Sequence, residues 1–467
     1  MRLRNWQLLC SDKAIASYLS NDKHFLCVAT PGAGKTRMTA DVVDKLLNLD
    51  LIDFVFCFTP SVVTAQSMRK SIEQVINAPM NGHIGSKGLC VTYQSLNFKD
   101  TSFWNVFKQY RVFAIFDEIH HCGGNSIEDS NVWAQHILRN IEAHASYTMA
   151  LSGTPWRSDK RAVTLSRYNE SNGSIICDYE YGLTQAINES VCRVPSVTVI
   201  DNNLISITDR KNVKHHYTSI EDALESSSIS YQTIVEAEPI IKFCLQQSIL
   251  KLDYVRKENS RAAGLVVAST VDHAFKIATI LQHNFERTVI VVSHHDINSL
   301  DIINSFQDTD IEWLVAVAMV SEGTNIPRLQ VCCHLTRIKT ELHFRQILGR
   351  IVRLNAKEKN RTAHLFAPAQ PQLIEYSKRL SDDIPAASST IVVSSQTPIT
   401  VLENEEERHP PDSDHNSSDK KQITSENLRF NEGKDNLSMP TLDDVFFKKL
   451  RFNGQFSHSV VYEFPQA

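Results

Sequence analysis

The sequence of 467 residues lacks the features that mark several specialised classes of protein. Its ten cysteines include no Cys-x-x-Cys pair, so we expect reduced and mostly buried thiols. No apolar run is long enough to span a membrane, and the N-terminal segment MRLRNWQLLC carries charge where a signal peptide has an uninterrupted apolar core. No internal repeat of solenoid period is evident. These absences predict an ordinary cytoplasmic protein with two or three domains.

The sequence also lacks the excess of basic residues that often marks a nucleic-acid-binding protein, since its formal net charge is −5. Residues 381–440 alone contain 12 acidic and 5 basic residues, so the remainder is close to neutral. A near-neutral body can still carry a local basic groove, and net charge therefore decides nothing about a nucleic-acid partner. The same acidic segment has sparse apolar periodicity, which predicts disorder for most of it.

The stretch ATPGAGKT, residues 29–36, is the strongest positive signal. It follows an apolar run at 24–28 and precedes a segment with helical spacing of apolar residues at 37–48. Strand, glycine-rich turn and helix form the context of a phosphate-binding loop, in which backbone N–H groups cradle phosphate oxygens. Lys35 would reach the β- and γ-phosphates, and the Thr36 hydroxyl would hold Mg²⁺. The predicted nucleotide contacts of this loop are Thr30, Gly32, Ala33, Gly34, Lys35 and Thr36.

A second apolar strand pattern, VFAIF at 112–116, ends in DEIH. A carboxylate at the carboxyl end of a buried parallel strand lies beside the phosphate-binding loop in such folds. We therefore predict that Asp117 holds Mg²⁺ through its water shell. Glu118 would position and deprotonate the attacking water.

A third signal, FRQILGRIVR at 344–353, has a Q-x-x-G-R-x-x-R pattern. Arg350 and Arg353 are three residues apart, which predicts that they share one helical face. Their guanidinium groups would reach the γ-phosphate as arginine fingers and stabilise the charge that develops as the bond breaks.

Taken together, several segments resemble the motifs of superfamily 2 DExH helicases. The closest resemblance is to the branch that contains type I and III restriction translocases and the excision-repair duplex translocases. The resemblance covers about four fifths of the chain. The segments that carry it are LRNWQ at the N-terminus, TPSVVTAQ, VTYQSL, DEIHH, SGTPWR, SEGTNIP and QILGRIVR.

The resemblance implies an α/β fold of two tandem RecA-like domains, each a mostly parallel sheet flanked by helices, with ATP in the cleft between them. Alternating strand and helix patterns in the second half also favour an α/β domain. We therefore divide the chain into the domains 1–175 and 176–380, a linker 381–440 and a tail 441–467.

The resemblance also implies roles for further residues. A glutamine at the position of Gln7 reads the adenine edge in the family, with Trp6 and Arg4 available beside it. Many relatives carry Asp at the position of Asn325, so a charge is lost there. Further nucleotide contacts would come from Gly323, Asn325 and Gln346. Three residues would couple ATP hydrolysis to movement: His120, Ser152 and Thr154. Contacts to nucleic acid would come from Ser61, Thr64, Thr92, Gln94, Ser269 and Thr270.

The weaker patterns leave more open. The polar stretch 201–230 has little periodicity and predicts a loop with one short helix, whereas residues 234–255 have a helical pattern. The tail, 441–467, regains aromatic and basic residues, and it could form a hairpin, dock on the body or bind a partner.

The implied function is an ATP- and Mg²⁺-dependent helicase or translocase, with DNA favoured over RNA as the nucleic acid. Two alternatives stay open at this point. One is an RNA helicase. The other is an ATP-gated DNA-binding subunit of a restriction or phage-defence complex, whose partner would be a nuclease or another defence or repair protein.

Overall fold

The structure is a computed structural model that describes residues 3–124, 130–293, 299–317, 326–354, 358–382 and 447–464. In these residues the chain forms two α/β lobes, each built on its own sheet. None of the helices described is both long enough and apolar enough to cross a lipid bilayer. Gly323, Asn325 and most of the predicted linker lie outside the described residues.

Among the described residues, the first lobe contains eight strands and six α-helices. In chain order they are α1 (Asn5–Leu19), β1 (His24–Ala29), α2 (Lys35–Asn48), β2 (Phe54–Thr59), α3 (Val62–Ile76), β3 (Gly88–Thr92), α4 (Thr101–Gln109), β4 (Val112–Asp117), α5 (Val132–Asn140), β5 (Tyr147–Ser152), β6 (Arg167–Tyr168), β7 (Ile175–Ile176), β8 (Tyr179–Tyr181) and α6 (Leu183–Asn188).

The sheet of the first lobe has the order β3-β2-β4-β5-β1-β8, and all of its neighbouring strands are parallel. Its central strands β1, β4 and β5 are mostly apolar and are buried over five of their six residues, because helices cover both faces. Parallel order brings the carboxyl ends of β1, β4 and β5 to one edge, where three of the predicted motifs begin. Because β8 pairs with β1, the change from the first sheet to the second falls between Tyr181 and Val194, later than the predicted division after residue 175.

The second lobe contains seventeen regular elements among the described residues. They are β9 (Val194–Asn202), β10 (Ile205–Asp209), β11 (Lys214–Tyr217), α7 (Ile220–Ser226), α8 (Tyr231–Glu236), α9 (Glu238–Arg256), β12 (Ala263–Ala268), α10 (Val271–Phe285), β13 (Val289–Val292), α11 (Ser299–Phe306), β14 (Trp313–Val317), β15 (Leu329–Leu335), α12 (Glu341–Ile351), β16 (Thr362–Pro368), α13 (Pro371–Lys378), β17 (Phe447–Phe452) and β18 (Phe456–Glu463).

The main sheet of the second lobe has the order β13-β14-β12-β15-β16-β9-β18. It is parallel except for β18, which joins the edge strand β9 in the antiparallel sense. The two sheets flanked by helices confirm the predicted α/β fold with two RecA-like domains.

Three patterns differ from the prediction or were left open by it. Residues 201–230 form β10, β11 and α7 rather than a loop with one helix, because a half-exposed sheet alternates polar and apolar residues and so looks polar overall. The tail docks on the body: β17 pairs with β10, and β18 pairs with β9. The helix expected at 234–255 is divided by Ala237, and Pro239 lies in the first turn of α9.

Candidate active site between the two lobes

The phosphate-binding loop joins β1 to α2 at the carboxyl edge of the first sheet. Gly32 and Gly34 have φ values of +84° and +97°, which side chains rarely adopt, so the loop depends on glycine at both positions. Lys35 is the first residue of α2, and the N–H groups of this helix terminus therefore face the loop. The Lys35 ammonium donates to the Ala29 carbonyl at 3.0 Å and lies 3.5 Å from Oε1 of Glu118.

Residues at the start of α1 donate hydrogen bonds to backbone carbonyls of the phosphate-binding loop. Nε2 of Gln7 donates to the Gly34 carbonyl at 2.9 Å, and a guanidinium nitrogen of Arg4 donates to the Ala33 carbonyl at 2.6 Å. Trp6 is buried and stacks on Tyr181 with ring centroids 4.6 Å apart, so it anchors α1 and is not available beside a base. Gln7 is also buried.

Asp117 and Glu118 form the acidic part of the site. Burial and the neighbouring charge of Glu118 raise the pKa of Asp117 to about 7. Burial opposes ionisation of Glu118 too, but the Lys35 ammonium, His120 and the Gly153 N–H outweigh it and hold the pKa of Glu118 at about 2. A cation bound beside Asp117 would favour the ionised form of this carboxyl group.

The oxygen donors at this point fit Mg²⁺. The Thr36 hydroxyl and the Asp117 carboxylate line the same cavity, and oxygen is the ligand that Mg²⁺ prefers. No group of three or more His, Cys, Asp or Glu side chains with metal-binding geometry occurs in the part of the chain that the structure describes. Mg²⁺ commonly takes one or two protein oxygens and completes its shell with water and phosphate oxygens.

His120, Ser152 and Thr154 lie together beside Glu118. Nδ1 of His120 lies 2.9 Å from the Ser152 hydroxyl, and the Thr154 N–H donates to the same hydroxyl at 3.0 Å. The Gly153 N–H donates to Oε2 of Glu118 at 3.3 Å. The SGTP turn is thus bonded to the carboxylate that would position water.

A cavity of about 280 Å³ lies between this edge and helix α12 of the second lobe. Arg350 is nearly buried there, and burial lowers the pKa of Arg353 to about 10, which leaves it charged at neutral pH. Three of the residues predicted to contact the nucleotide do not line this cavity: Gln7, Thr30 and Ala33. The predicted residues that line it are Gly32, Gly34, Lys35, Thr36, Thr64, Asp117, Glu118, Thr154, Gln346, Arg350 and Arg353.

The prediction that Arg350 and Arg353 share one helical face is wrong. Helix α12 ends at Ile351, and Arg353 follows it in a bridge to Cys192. Both arginines nevertheless reach the cavity.

The lobes touch through residues that the sequence analysis did not single out. A Cβ atom added to Gly349 would lie 2.7 Å from Cβ of Pro31, so α12 packs directly on the phosphate-binding loop. The Cys192 thiol lies 3.7 Å from the Pro31 carbonyl. Gly349 belongs to the Q-x-x-G-R pattern and could have been found from it, whereas Cys192 carried no sequence signal.

The sequence analysis also did not single out Arg193. Its side chain is fully buried and makes five hydrogen bonds, two of them to the Glu358 carboxylate. The other three go to the carbonyls of Pro327, Leu329 and Ile351. The start of β9 is thereby tied to the end of α12, two residues before Arg353.

The residues predicted to bind nucleic acid lie at the carboxyl ends of strands in both lobes. Ser61 caps α3, and Thr270 caps α10 by accepting from the His273 N–H at 3.1 Å. The Ser269 hydroxyl donates to the Leu335 carbonyl at 3.3 Å. Thr92 ends β3 and is half-buried, Gln94 is exposed, and Thr64 lines the cavity between the lobes.

Comparison with known proteins identifies the same two units. The family described as type III restriction enzyme, res subunit, matches residues 1–157, and the helicase conserved C-terminal domain matches residues 244–355. An uncharacterised protein of Mycobacterium leprae is 28% identical over 395 residues, which are 81% of this chain and 64% of that protein. This chain therefore spans less than two thirds of that relative.

Two further similarities extend over both lobes. DNA 3′-5′ translocase XPB2 of Sulfurisphaera tokodaii is 21% identical over 387 residues, covering 77% of this chain and 80% of that protein. A fragment described as the HsdR subunit of a type I restriction enzyme from Vibrio vulnificus superposes with a TM-score of 0.56 at 15% identity, covering 83% of this chain and 70% of that one. The structural similarity establishes the fold.

Proposed function

The chain belongs to superfamily 2, in the branch of restriction subunits and excision-repair translocases, and from this premise we propose that it is an ATP-driven motor that moves along DNA. The observation that carries the proposal is the cavity between the lobes. There the phosphate-binding loop and the DEIH carboxylates face two arginines of the other lobe. DNA is the favoured track because one relative that spans both lobes is named a DNA translocase.

The charged side chains in the cavity and the Thr36 hydroxyl have distinct roles in ATP hydrolysis. Lys35 neutralises the β- and γ-phosphates, and Mg²⁺ bound by Thr36 and Asp117 would neutralise further phosphate charge. The water oxygen attacks the γ-phosphorus, the bond to the β–γ bridging oxygen breaks, and ADP and phosphate leave. Arg350 and Arg353 stabilise the charge on the transferring group.

Glu118 orients the attacking water. Its carboxylate is ionised at neutral pH, and it accepts a hydrogen bond from the water before accepting the proton. Lys35 now lies 3.5 Å from Glu118. When Lys35 turns to the phosphates, the carboxylate loses part of this stabilisation and becomes a stronger base.

Hydrolysis also changes how the lobes hold each other. The γ-phosphate bridges Lys35 in one lobe and the arginines in the other, so its release weakens the closed arrangement. Each lobe contacts the sugar–phosphate backbone through hydroxyl and amide groups, which do not read base sequence. Alternating closure and opening would thus produce steps along a strand.

The test is ATP hydrolysis by the purified chain, alone and with single-stranded DNA, duplex DNA or RNA. We expect DNA to stimulate hydrolysis, Lys35→Ala to abolish it, and Glu118→Gln to abolish it while retaining ATP binding. If RNA stimulates hydrolysis and DNA does not, the chain is an RNA helicase rather than a DNA motor. If the chain hydrolyses ATP under none of these conditions but binds DNA only when ATP is present, it is an ATP-gated binding subunit instead.

A further inference from the structure

A small antiparallel sheet packs on the second lobe and contains none of the motif residues. Its strand order is β11-β10-β17, so two strands come from residues 205–217 and the third from the C-terminal segment. The side facing the lobe is apolar: Ile205, Ile207, Leu450 and Phe452 join the hydrophobic core. Because strand residues alternate between faces, the opposite side must carry the intervening residues.

The outward side is organised in two rows across the three strands. Thr208 of β10 pairs with Lys214 on one side and Lys449 on the other. Ser206 pairs in the same way with His216 and Arg451. Each row therefore has a short hydroxyl side chain in the middle and a longer nitrogen-bearing side chain at both ends. We name this side the basic face, defined by Ser206, Thr208, Lys214, His216, Lys449 and Arg451.

Hydrogen bonds fix the floor of the basic face. Nδ2 of Asn453 donates to the Ser206 hydroxyl at 2.6 Å, and that hydroxyl lies 2.9 Å from Nδ1 of His216. Since Ser206 already accepts from Asn453, its own proton can be donated to His216. The other ring nitrogen of His216 is then protonated and available as a donor.

The charge on this face is uncompensated within the described part of the chain. Lys214, Lys449 and Arg451 are exposed, and no described carboxylate lies within ion-pair distance of them. The face surrounds a depression of about 410 Å³ whose lining contains no acidic residue and no Phe, Tyr or Trp. Such a surface attracts an extended polyanion through its phosphates, and the His216 imidazole is the one ring in this lining.

The position of the basic face relates it to the motif residues. β9 and β12 are parallel members of one sheet, so the carboxyl end of β9, where β10 begins, is at the same edge as Ser269 and Thr270. Three strand spacings separate β12 from β9, which is about 14 Å. A strand bound along this edge would reach both.

We propose that the basic face binds the phosphate backbone of the nucleic-acid strand and so extends the track across the second lobe. This inference rests on the proposed function and adds a site to it. The contact is independent of base sequence and sensitive to salt, because lysine and arginine make it to phosphates. Half of the basic groups come from β17, so the C-terminal strand is needed to complete the site.

The experiment measures binding of fluorescently labelled single-stranded and duplex DNA by the full chain, across a series of salt concentrations. The variant is Lys214→Ala with Lys449→Ala. The matched control is Lys257→Ala, an exposed lysine at the carboxyl end of α9, at the opposite edge of the sheet. Thermal unfolding checks that the small sheet is retained, and ATP hydrolysis without DNA should equal that of the wild type.

We expect the double variant to bind single-stranded DNA roughly tenfold more weakly, and the slope of log affinity against log salt to become shallower by about 1.4, or 0.7 for each lysine. The Lys257→Ala control should match the wild type in both. Unchanged affinity and slope in a folded double variant would overturn the inference and leave the proposed motor function standing. A wild-type chain that binds no nucleic acid would overturn both proposals.

Discussion

Nε2 of His120 in the first lobe lies 3.4 Å from Nε2 of Gln346 in the second. The other ring nitrogen, Nδ1, lies 2.9 Å from the Ser152 hydroxyl and 3.5 Å from Oε2 of Glu118. One imidazole therefore contacts the Glu118 carboxylate, the SGTP turn and the opposite lobe. In the proposed mechanism, a change of charge at Glu118 would reach the second lobe through this ring, because the proton on one nitrogen determines what the other can accept.

We predict that Gln346→Ala slows DNA-stimulated ATP hydrolysis and, with it, the movement that depends on hydrolysis. Loss of one hydrogen bond across the cleft should lower DNA-stimulated hydrolysis by about tenfold, which corresponds to about 1.4 kcal/mol. ATP binding should change by less than about threefold because Lys35 and the loop amides remain. The measurement compares ATP turnover with strand displacement. Gln282→Ala, an exposed glutamine of α10, is the control, and equal losses in the two variants would contradict the role of Gln346.

Gly32 and Gly85 provide a matched pair that separates backbone strain from contact between the lobes. Both have a positive φ, +84° and +82°, but a Cβ atom on Gly32 would lie 3.0 Å from Cγ of Arg353, whereas one on Gly85 meets nothing within 4 Å. Gly32→Ala should displace the arginine finger and reduce ATP hydrolysis by more than about tenfold. Gly85→Ala should cost about 1 kcal/mol of stability and leave hydrolysis unchanged. Equal effects on hydrolysis would mean that strain alone matters at Gly32.

The arrangement of the candidate nucleotide site could be predicted because each motif is contiguous and carries its own context. Residues 29–36 show strand, turn and helix within a short window, and the DEIH carboxylates follow directly from a buried strand. Local pattern determines such features, and parallel order of the strands then brings the separate motifs to one edge.

The remaining features depend on partners that are distant in the sequence. β10 pairs with β17, about 240 residues away, so the local pattern alone could not reveal its partner in the sheet. An arginine at the start of a strand, such as Arg193, looks like a surface residue until the three carbonyls around it are known. The sequence also did not indicate that α12 ends at Ile351. The helix ends there because Arg353 forms a bridge with Cys192, which lies in the connection between the lobes.

Arg193 should be essential for the stability of the second lobe. Arg193→Met leaves the Glu358 carboxylate and three carbonyls without their donor, and removal of one partner from a buried ion pair costs about 3–5 kcal/mol. Arg193→Met with Glu358→Leu should recover part of the loss, because the uncompensated charge is then absent. Denaturant unfolding measures both variants. Arg111→Met is the control: Arg111 also makes several bonds, but it is exposed, so its loss should be smaller.

Failure of the double variant to recover any stability would indicate that the carbonyl contacts, rather than the ion pair, dominate at Arg193. ATP hydrolysis gives a second readout that simple destabilisation would not change below the unfolding temperature. Since Arg193 holds the Ile351 carbonyl two residues before Arg353, hydrolysis should fall at temperatures where the variant is still folded.

Acid should destabilise the second lobe through a buried histidine pair. The rings of His334 and His343 lie 5.9 Å apart. Burial, together with His343, lowers the pKa of His334 to about 3, and burial lowers the pKa of His343 to about 4. In the unfolded chain both would titrate near 6.5. Between these values the unfolded state binds more protons, so the stability present above pH 6.5 is lost as the pH falls.

The magnitude follows from the same linkage: each buried histidine removes about 2 kcal/mol by pH 5. His334→Leu should therefore lose about 2 kcal/mol less than the wild type between pH 7 and pH 5, measured by denaturant unfolding at each pH. The control His283→Leu replaces an exposed histidine of α10 and should follow the wild-type curve. If His334→Leu also ran parallel to the wild type, protonation of the buried pair would not be what unfolds the lobe in acid, and buried carboxylates would have to account for the loss.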